Sequence, residues 1–179
     1  LFTDRKVSEA FSLAINRDQI VREVLYGFGT PITAPIPPGI LGYHPVLAKS
    51  QEDRITRANT LLDQSGWKLD TDTGVRTKKG KSGTDRLAFS LATGNTPELK
   101  RAAEIVLADW QAIGAKVDLK VFEIGDLNQN VIRPRKYDSL FFGEIVGRDP
   151  DPFSFWHSSQ RNDPGLNVAL YTNVKVDKA

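Results

Sequence analysis

The apolar positions near the start of the chain recur three and four residues apart, which is the period of an α-helix. Either Thr3 or Asp4 can cap a first helix, and Asn16 can cap a second one over residues 17–26, where Gly27 ends the pattern. The sequence therefore predicts two short helices that meet at a bend.

A third helix is predicted after a stretch that is rich in glycine and proline. Residues 27–45 contain four glycines and five prolines, a density that neither a helix nor a central strand accepts. Because several other residues there are apolar, we expect a strap that packs across the protein rather than a flexible linker. The third helix is expected over residues 52–65, where Gly66 caps it and Trp67 contacts its end.

The second half of the chain alternates between strand and helix patterns. A hairpin or a loop is predicted over residues 71–83, where turn residues flank a short strand-like run. The predicted strands follow at residues 87–92, 116–121 and 138–145, and the helices between them begin near Thr96 and Gly125. This βαβαβ order predicts an α/β fold with an open sheet flanked by helices. Ligands bind such sheets at the carboxyl ends of the strands, which points to the segment after residue 142.

The charge balance argues against nucleic acid as a partner. The chain has 24 basic and 22 acidic side chains and a formal net charge of +2, too small an excess to follow a phosphate backbone. We interpret the one dense basic run, residues 76–81, as a solvated hairpin tip. The chain has no cysteine, which excludes disulfides and thiol catalysis, and no apolar run of about 18 residues that would predict a membrane span.

The beginning of the chain suggests an internal piece of a longer protein. The sequence contains no methionine, and its first residue, Leu1, already leads into a helical pattern. We therefore expect a fragment, for which a missing signal peptide carries no information about export.

The segment after the last predicted strand combines charged and aromatic residues. Two glycines and two prolines stiffen this loop, so that its polar side chains can hold a charged or zwitterionic solute. The candidate ligand-binding residues are Glu144, Val146, Arg148, Asp149, Asp151 and Trp156. A structural alternative is that Asp149 or Asp151 only caps a helix beginning near Pro152.

Histidine and serine chemistry finds little support in the sequence. His157 is followed by Ser158 and Ser159, but neighbours along a helix point to different faces, so adjacency predicts no serine–histidine relay. His44, the other histidine, lies more than a hundred residues away and shares no zinc motif with His157. We expect neither a metal nor a cofactor.

Two other classes of function stay open at this point. Glu144 with Asp149 or Asp151 could serve as the carboxylate pair of a hydrolase or transferase. A purely structural interaction module is the other alternative, and a large exposed apolar patch without a cleft would identify it.

Four stretches of the chain resemble family 5 extracellular solute-binding proteins, the peptide- and nickel-type substrate-binding subunits of ABC importers. The stretches occur in the family's order and cover nearly the whole chain. They are residues 7–17 (VSEAFSLAINR), residues 30–38 with Thr30-Pro31 and Pro35-Ile36-Pro37-Pro38, residues 61–67 ending in Gly66-Trp67, and residues 149–159 (DPDPFSFWHSS). Residues 171–176 also resemble the family's Y-x-N-x-x-V-D stretch.

The resemblance implies a periplasmic-binding-protein-like type II architecture, in which two lobes close on a solute. Residues 1–179 would form a single α/β lobe with an open mixed sheet, the C-terminal lobe of a larger protein whose N-terminal lobe is missing. Residues 1–66 would supply helices and the strap, and residues 84–160 the βαβαβ core. The resemblance also implies a non-enzymatic, lipid-anchored or periplasmic protein at the outer side of the cytoplasmic membrane, with an ABC permease as its partner.

The loop that would hold the solute departs from the pattern of peptide-binding members. Those members bind the amino terminus of the peptide with an aspartate, where this chain places Arg148 or Asp149, and often carry a tryptophan where this chain has Glu144. The solute is therefore expected to be an oligopeptide or another small polar molecule, such as a sugar, an opine-like compound or a cation complex.

Overall fold

A computed structural model describes residues 1–34, 36, 38–40, 43, 50–80, 83–145 and 153–178. The first two helices are α1, Arg5–Ala14, and α2, Arg17–Glu23. The Asp4 carboxylate caps α1 by accepting from the Lys6 amide at 2.9 Å, and Asn16 caps α2 through the Gln19 amide at 3.1 Å. Both predicted helices are present, but α2 ends three residues early because the chain turns through left-handed backbone at Tyr26.

The third helix, α3, spans Gln51–Gln64. Gly66 adopts a positive φ of 84°, and the Trp67 amide donates to the Leu62 carbonyl at 3.0 Å, which closes the end of the helix as predicted. Trp67 itself is buried. The strap predicted over residues 27–45 contains no helix or strand in its described residues, and the rest of it lies outside the described part of the chain.

A small antiparallel sheet follows α3. Its strands are β1, Lys68–Leu69, β2, Arg76–Lys79, and β3, Thr84–Arg86, in the order β1-β2-β3. The predicted hairpin is therefore present, but its basic run is not wholly a solvated tip. Arg76 is only 4% exposed, since its side chain donates to the Ile113 and Trp67 carbonyls at 2.9 and 2.7 Å.

The second sheet is parallel. It contains β4, Ala88–Gly94, β5, Lys116–Phe122, and β6, Ser139–Phe141, in the order β5-β4-β6. Helix α4, Pro97–Ala112, connects β4 to β5, with Thr96 as its cap and Pro97 in its first turn, as predicted. Antiparallel and parallel strands thus occupy two separate sheets in the described structure, rather than one mixed sheet.

Shorter elements surround β6. Helix α5, Ile124–Asp126, continues into a π-helical segment, Leu127–Ile132. These two elements together replace the single short helix that the sequence predicts there. Helix α6, Phe153–Trp156, is followed by a 3₁₀ turn, Ser158–Gln160. None of the described helices is both long and apolar enough to cross a membrane.

The main core joins α1, α3 and α4 to one face of the parallel sheet. Phe11, Phe89 and Trp110 form its aromatic centre, with ring centroids 5.2 to 5.5 Å apart. The Trp110 indole donates to the Phe11 carbonyl at 3.0 Å, so its polar atom is paired although the ring is buried. A smaller cluster around Ala92, Leu127 and Val131 covers the other face of the sheet.

Candidate functional site

The carboxyl ends of the three parallel strands meet at one edge of the sheet. Strand β6 lies beside β4 and ends at Phe141, well before the predicted end at residue 145. Beyond it the chain leaves the sheet, and Gly143, Glu144 and Ile145 are exposed. The Ile145 side chain is 96% exposed. The segment that we singled out from the sequence therefore begins at the edge where α/β sheets bind their ligands.

Glu144 is a described member of the predicted ligand-binding set. Its residue is exposed, yet the protein atoms around its carboxyl remove enough water to raise its pKa above the ordinary glutamate value. A cationic group bound beside this carboxylate would favour the ionised form and oppose that shift. Glu144 is therefore a partly desolvated carboxyl at this edge of the sheet.

Four other predicted ligand-binding residues lie outside the described part of the chain. They are Val146, Arg148, Asp149 and Asp151. Their assignment to the site therefore stays a prediction, as does the carboxylate pair that Glu144 would form with Asp149 or Asp151.

Trp156, the last predicted site residue, ends α6 at the far side of the same loop. Its residue is half-buried, and its ring lies edge-to-face against the Tyr171 ring, with centroids 6.2 Å apart and an interplanar angle of 79°. Along the chain, the predicted site residues therefore run from the exposed Glu144 to the half-buried Trp156, whose ring contacts Tyr171.

The tail that carries Tyr171 is fixed to the body by residues that the sequence analysis did not identify. Arg135 donates to the Arg161 carbonyl at 2.9 Å and to the Gly165 carbonyl at 2.6 Å. The Tyr137 hydroxyl donates to the Val168 carbonyl. In the sequence, the resemblance of residues 171–176 to a family stretch is the signal that pointed to this tail. The contacts of Arg135 could not be predicted, because a single sequence does not reveal which carbonyls an arginine reaches.

The side chains of His157 and Ser159 lie closer to each other than the sequence pattern predicts. His157 precedes the 3₁₀ turn, so its ring folds back over that turn rather than pointing away along a continuous helix. Its Nδ1 accepts from the Ser159 amide at 3.1 Å and lies 2.8 Å from the Ser159 hydroxyl. The expectation that the two side chains face apart was therefore wrong. Because the backbone amide already uses the Nδ1 lone pair, the contact is that of a helix cap.

Metal chemistry gains no support from the described residues, among which no three histidine, aspartate or glutamate side chains cluster as metal ligands would.

The geometry can be compared with known proteins. A family profile described as "Bacterial extracellular solute-binding proteins, family 5 Middle" matches residues 1–166. The chain belongs to this family. It is 29% identical, over 99% of its length, to the oligopeptide-binding protein AppA of Bacillus subtilis. It is also 33% identical, over 85% of its length, to the nickel-binding periplasmic protein of Escherichia coli.

The fold agrees with the family assignment. The structure of Bacillus subtilis AppA in complex with a nonapeptide superposes with a TM-score of 0.84 at 28% identity, covering 99% of this chain and 35% of AppA. The chain therefore has the fold of a family 5 lobe of the type II periplasmic-binding-protein class, as its sequence resemblance implied. It covers 32% and 28% of the two curated relatives, so it spans about a third of such proteins. These comparisons give no support to a hydrolase or transferase.

Proposed function

We propose that this family 5 chain takes part in extracytoplasmic solute capture for import by an ABC transporter. It would form one lobe, residues 1–179, of a two-lobed binding protein, with the loop after β6 as its half of the binding cleft. The observation that carries the proposal is the exposure of Glu144 and Ile145 at the carboxyl edge of the parallel sheet. An exposed apolar side chain next to a carboxylate suits a solute with both apolar and polar parts.

The proposed solute is an oligopeptide or another small polar molecule. One relative of known structure, AppA, is in complex with a nonapeptide, whereas a curated relative is a nickel-binding protein, so family membership alone does not fix the solute. A peptide amino terminus would satisfy the Glu144 carboxylate, and the Trp156–Tyr171 pair would offer an aromatic surface to an apolar side chain. Arg148, Asp149, Asp151 and Val146 would complete the contacts from the same loop.

The proposed mechanism is capture by closure, with no bond made or broken. A solute that contacts both lobes stabilises the closed state in proportion to its extra affinity for that state. The closed protein would then deliver the solute to an ABC permease at the outer side of the cytoplasmic membrane, in the periplasm or at the cell surface. An isolated third of the protein lacks the opposing contacts and should bind weakly.

Isothermal titration of the full-length protein with synthetic penta- and nonapeptides tests this proposal. We expect saturable one-to-one binding and chemically unchanged peptides. Glu144→Gln should weaken binding of peptides with a free amino terminus by about fivefold or more, since a charge-assisted contact is lost. Glu52→Gln, which removes an exposed carboxylate on α3, is the matched control and should bind normally.

Two results would contradict the proposal. The first is the absence of saturable binding by peptides and by other polar solutes, including nickel–histidine complexes. The second is turnover of a bound solute that disappears in Glu144→Gln, which would establish an enzyme instead.

A further inference from the structure

Asn167 is an interior polar residue of the tail. Its exposure is 0%, whereas its neighbours Leu166 and Leu170 are substantially exposed. A fully buried amide has to find partners for two N–H donors and a carbonyl oxygen, because an unpaired polar group inside a protein is costly. The partners of Asn167 therefore indicate what holds this part of the chain together.

The Asn167 side chain joins the backbone of α6 to the backbone of the tail. The two N–H groups of its Nδ2 are shared among three carbonyls, those of Trp156 and His157 at 3.3 and 3.1 Å and that of Tyr171 at 3.0 Å. Its Oδ1 accepts from the Tyr171 amide at 3.1 Å. One amide thus fixes the main chain of both residues whose rings form the edge-to-face pair.

A second contact stabilises the same junction from outside. The Asp177 carboxylate accepts from the Ser158 amide at 2.9 Å, so the 3₁₀ turn is tied to the tail beyond Asn167 as well. The hydrogen bonds from Arg135 and Tyr137 attach the tail to the connection between the π-helical segment and β6 but do not reach Trp156 or Tyr171. Within the described structure, Asn167 is therefore the side chain that links the two aromatic residues through their backbones.

We propose that Asn167 is a positioning residue, which holds Trp156 and Tyr171 in the orientation that receives apolar side chains of the solute. This inference rests on the proposed function for its solute-binding part. Asn167 does not touch the solute itself, since it is fully buried. Its effect on binding passes through Trp156.

The positioning of Trp156 can be measured without any solute. In the full-length protein, the fluorescence emission of Trp156 is isolated by subtraction. The emission spectrum of the Trp156→Leu variant is subtracted from that of the protein that retains Trp156. Asn167→Ala should shift this emission to longer wavelength and make it more accessible to iodide, because the ring is no longer held against Tyr171. Tyr137→Phe is the control, since it removes a bond to the same tail but leaves Asn167 in place. Unchanged Trp156 emission in Asn167→Ala overturns the proposal.

Asn167→Asp provides a second variant of nearly the same shape. At neutral pH its carboxylate faces three carbonyl oxygens and cannot donate to them, so Trp156 should be displaced as in Asn167→Ala. Burial and the carbonyl oxygens raise the pKa of such a carboxyl, and protonation restores one donor. Recovery of the native emission at mildly acidic pH therefore supports the proposal, and the same displaced emission at every pH at which the variant stays folded contradicts it.

The binding test compares pairs of pentapeptides. The two peptides of a pair differ only in carrying phenylalanine or leucine at one position, and a pair is made for each position in turn. Trp156→Leu should reduce the preference for phenylalanine by about fivefold at one position. Asn167→Ala should reduce it at the same position, and the double variant should equal Trp156→Leu alone, because residues that act through one contact are not additive. Additive losses, or loss of affinity without a change in preference, would show a merely structural role and overturn the proposal.

These readouts separate the two proposals. If the wild-type protein binds neither pentapeptides nor other polar solutes, the proposed function fails while the emission of Trp156 still decides whether Asn167 positions it. If peptides bind but Asn167→Ala leaves both emission and preference unchanged, the proposed function stands and the role of Asn167 is refuted.

Discussion

Arg76 shows how a single residue can depart from the pattern in which it stands. It belongs to a dense basic run, and its neighbour Lys79 is exposed as a solvated strand end should be. Arg76 instead reaches inward to the Ile113 and Trp67 carbonyls, and its guanidinium also contacts the Asn59 side chain and the Asp63 carboxylate at 2.9 Å. The sequence could not predict this, because a charge run does not reveal which member faces the core.

Replacement of Arg76 by methionine should lower the free energy of unfolding by about 3 kcal/mol, because two buried carbonyls lose their donors. The Asp63 partner is about half exposed and adds little to that loss. Urea denaturation of the chain measures the change. Lys79→Met, on the same strand, is the control and should shift stability by less than about 0.5 kcal/mol. Equal effects of the two substitutions would contradict the assigned role of Arg76.

At the scale of elements, the strength of the local signal decided what the sequence could predict. Helix α4 and strand β5 lie where their patterns placed them, because a strong cap and a sustained alternation leave few alternatives. Strand β6 is shorter than its apolar run predicted, since it pairs with β4 only from Ser139 to Phe141. The loop that forms the candidate site therefore starts earlier, and Glu144 lies outside the sheet.

The register of β6 against β4 is fixed by a polar contact that the sequence did not reveal. The Asp138 carboxylate accepts from the Ser90 amide and hydroxyl at 2.8 and 2.7 Å. These hydrogen bonds from Ser90 lower the pKa of Asp138 below the ordinary aspartate value. A carboxyl whose folded pKa is depressed stabilises the fold above its unfolded pKa of about 4, and this contribution is lost as the pH falls through the folded value.

Asp138→Asn should consequently destabilise the chain at pH 7, and the difference from wild type should shrink as the pH falls below about 4. Thermal unfolding between pH 7 and pH 3 measures this difference. Asp118→Asn, an exposed position on β5, serves as the control. A gap between wild type and Asp138→Asn that stays constant over this range would show that the charge of Asp138 contributes nothing to the β4–β6 pairing.

At the scale of the whole molecule, the fold class was predictable because βαβαβ alternation, helix caps and family motifs agreed with one another. Of the candidate site, the sequence could predict the edge of the sheet at which Glu144 lies, and the assignment of its residues to a binding site stays a prediction. Parallel strands place their carboxyl ends at one edge, and Glu144 is found exposed there. The aromatic pair and its buried amide were not predictable, since Tyr171 and Asn167 reach Trp156 through a tail without regular structure.

The central claim is that the loop after β6 contacts a captured solute. A crystal structure of the full-length protein with its co-purified solute tests it most directly. We expect solute atoms within about 4 Å of the Glu144 side chain or of the Trp156–Tyr171 pair, which is contact distance. A solute bound elsewhere, with those side chains facing bulk solvent in the closed protein, would contradict the account.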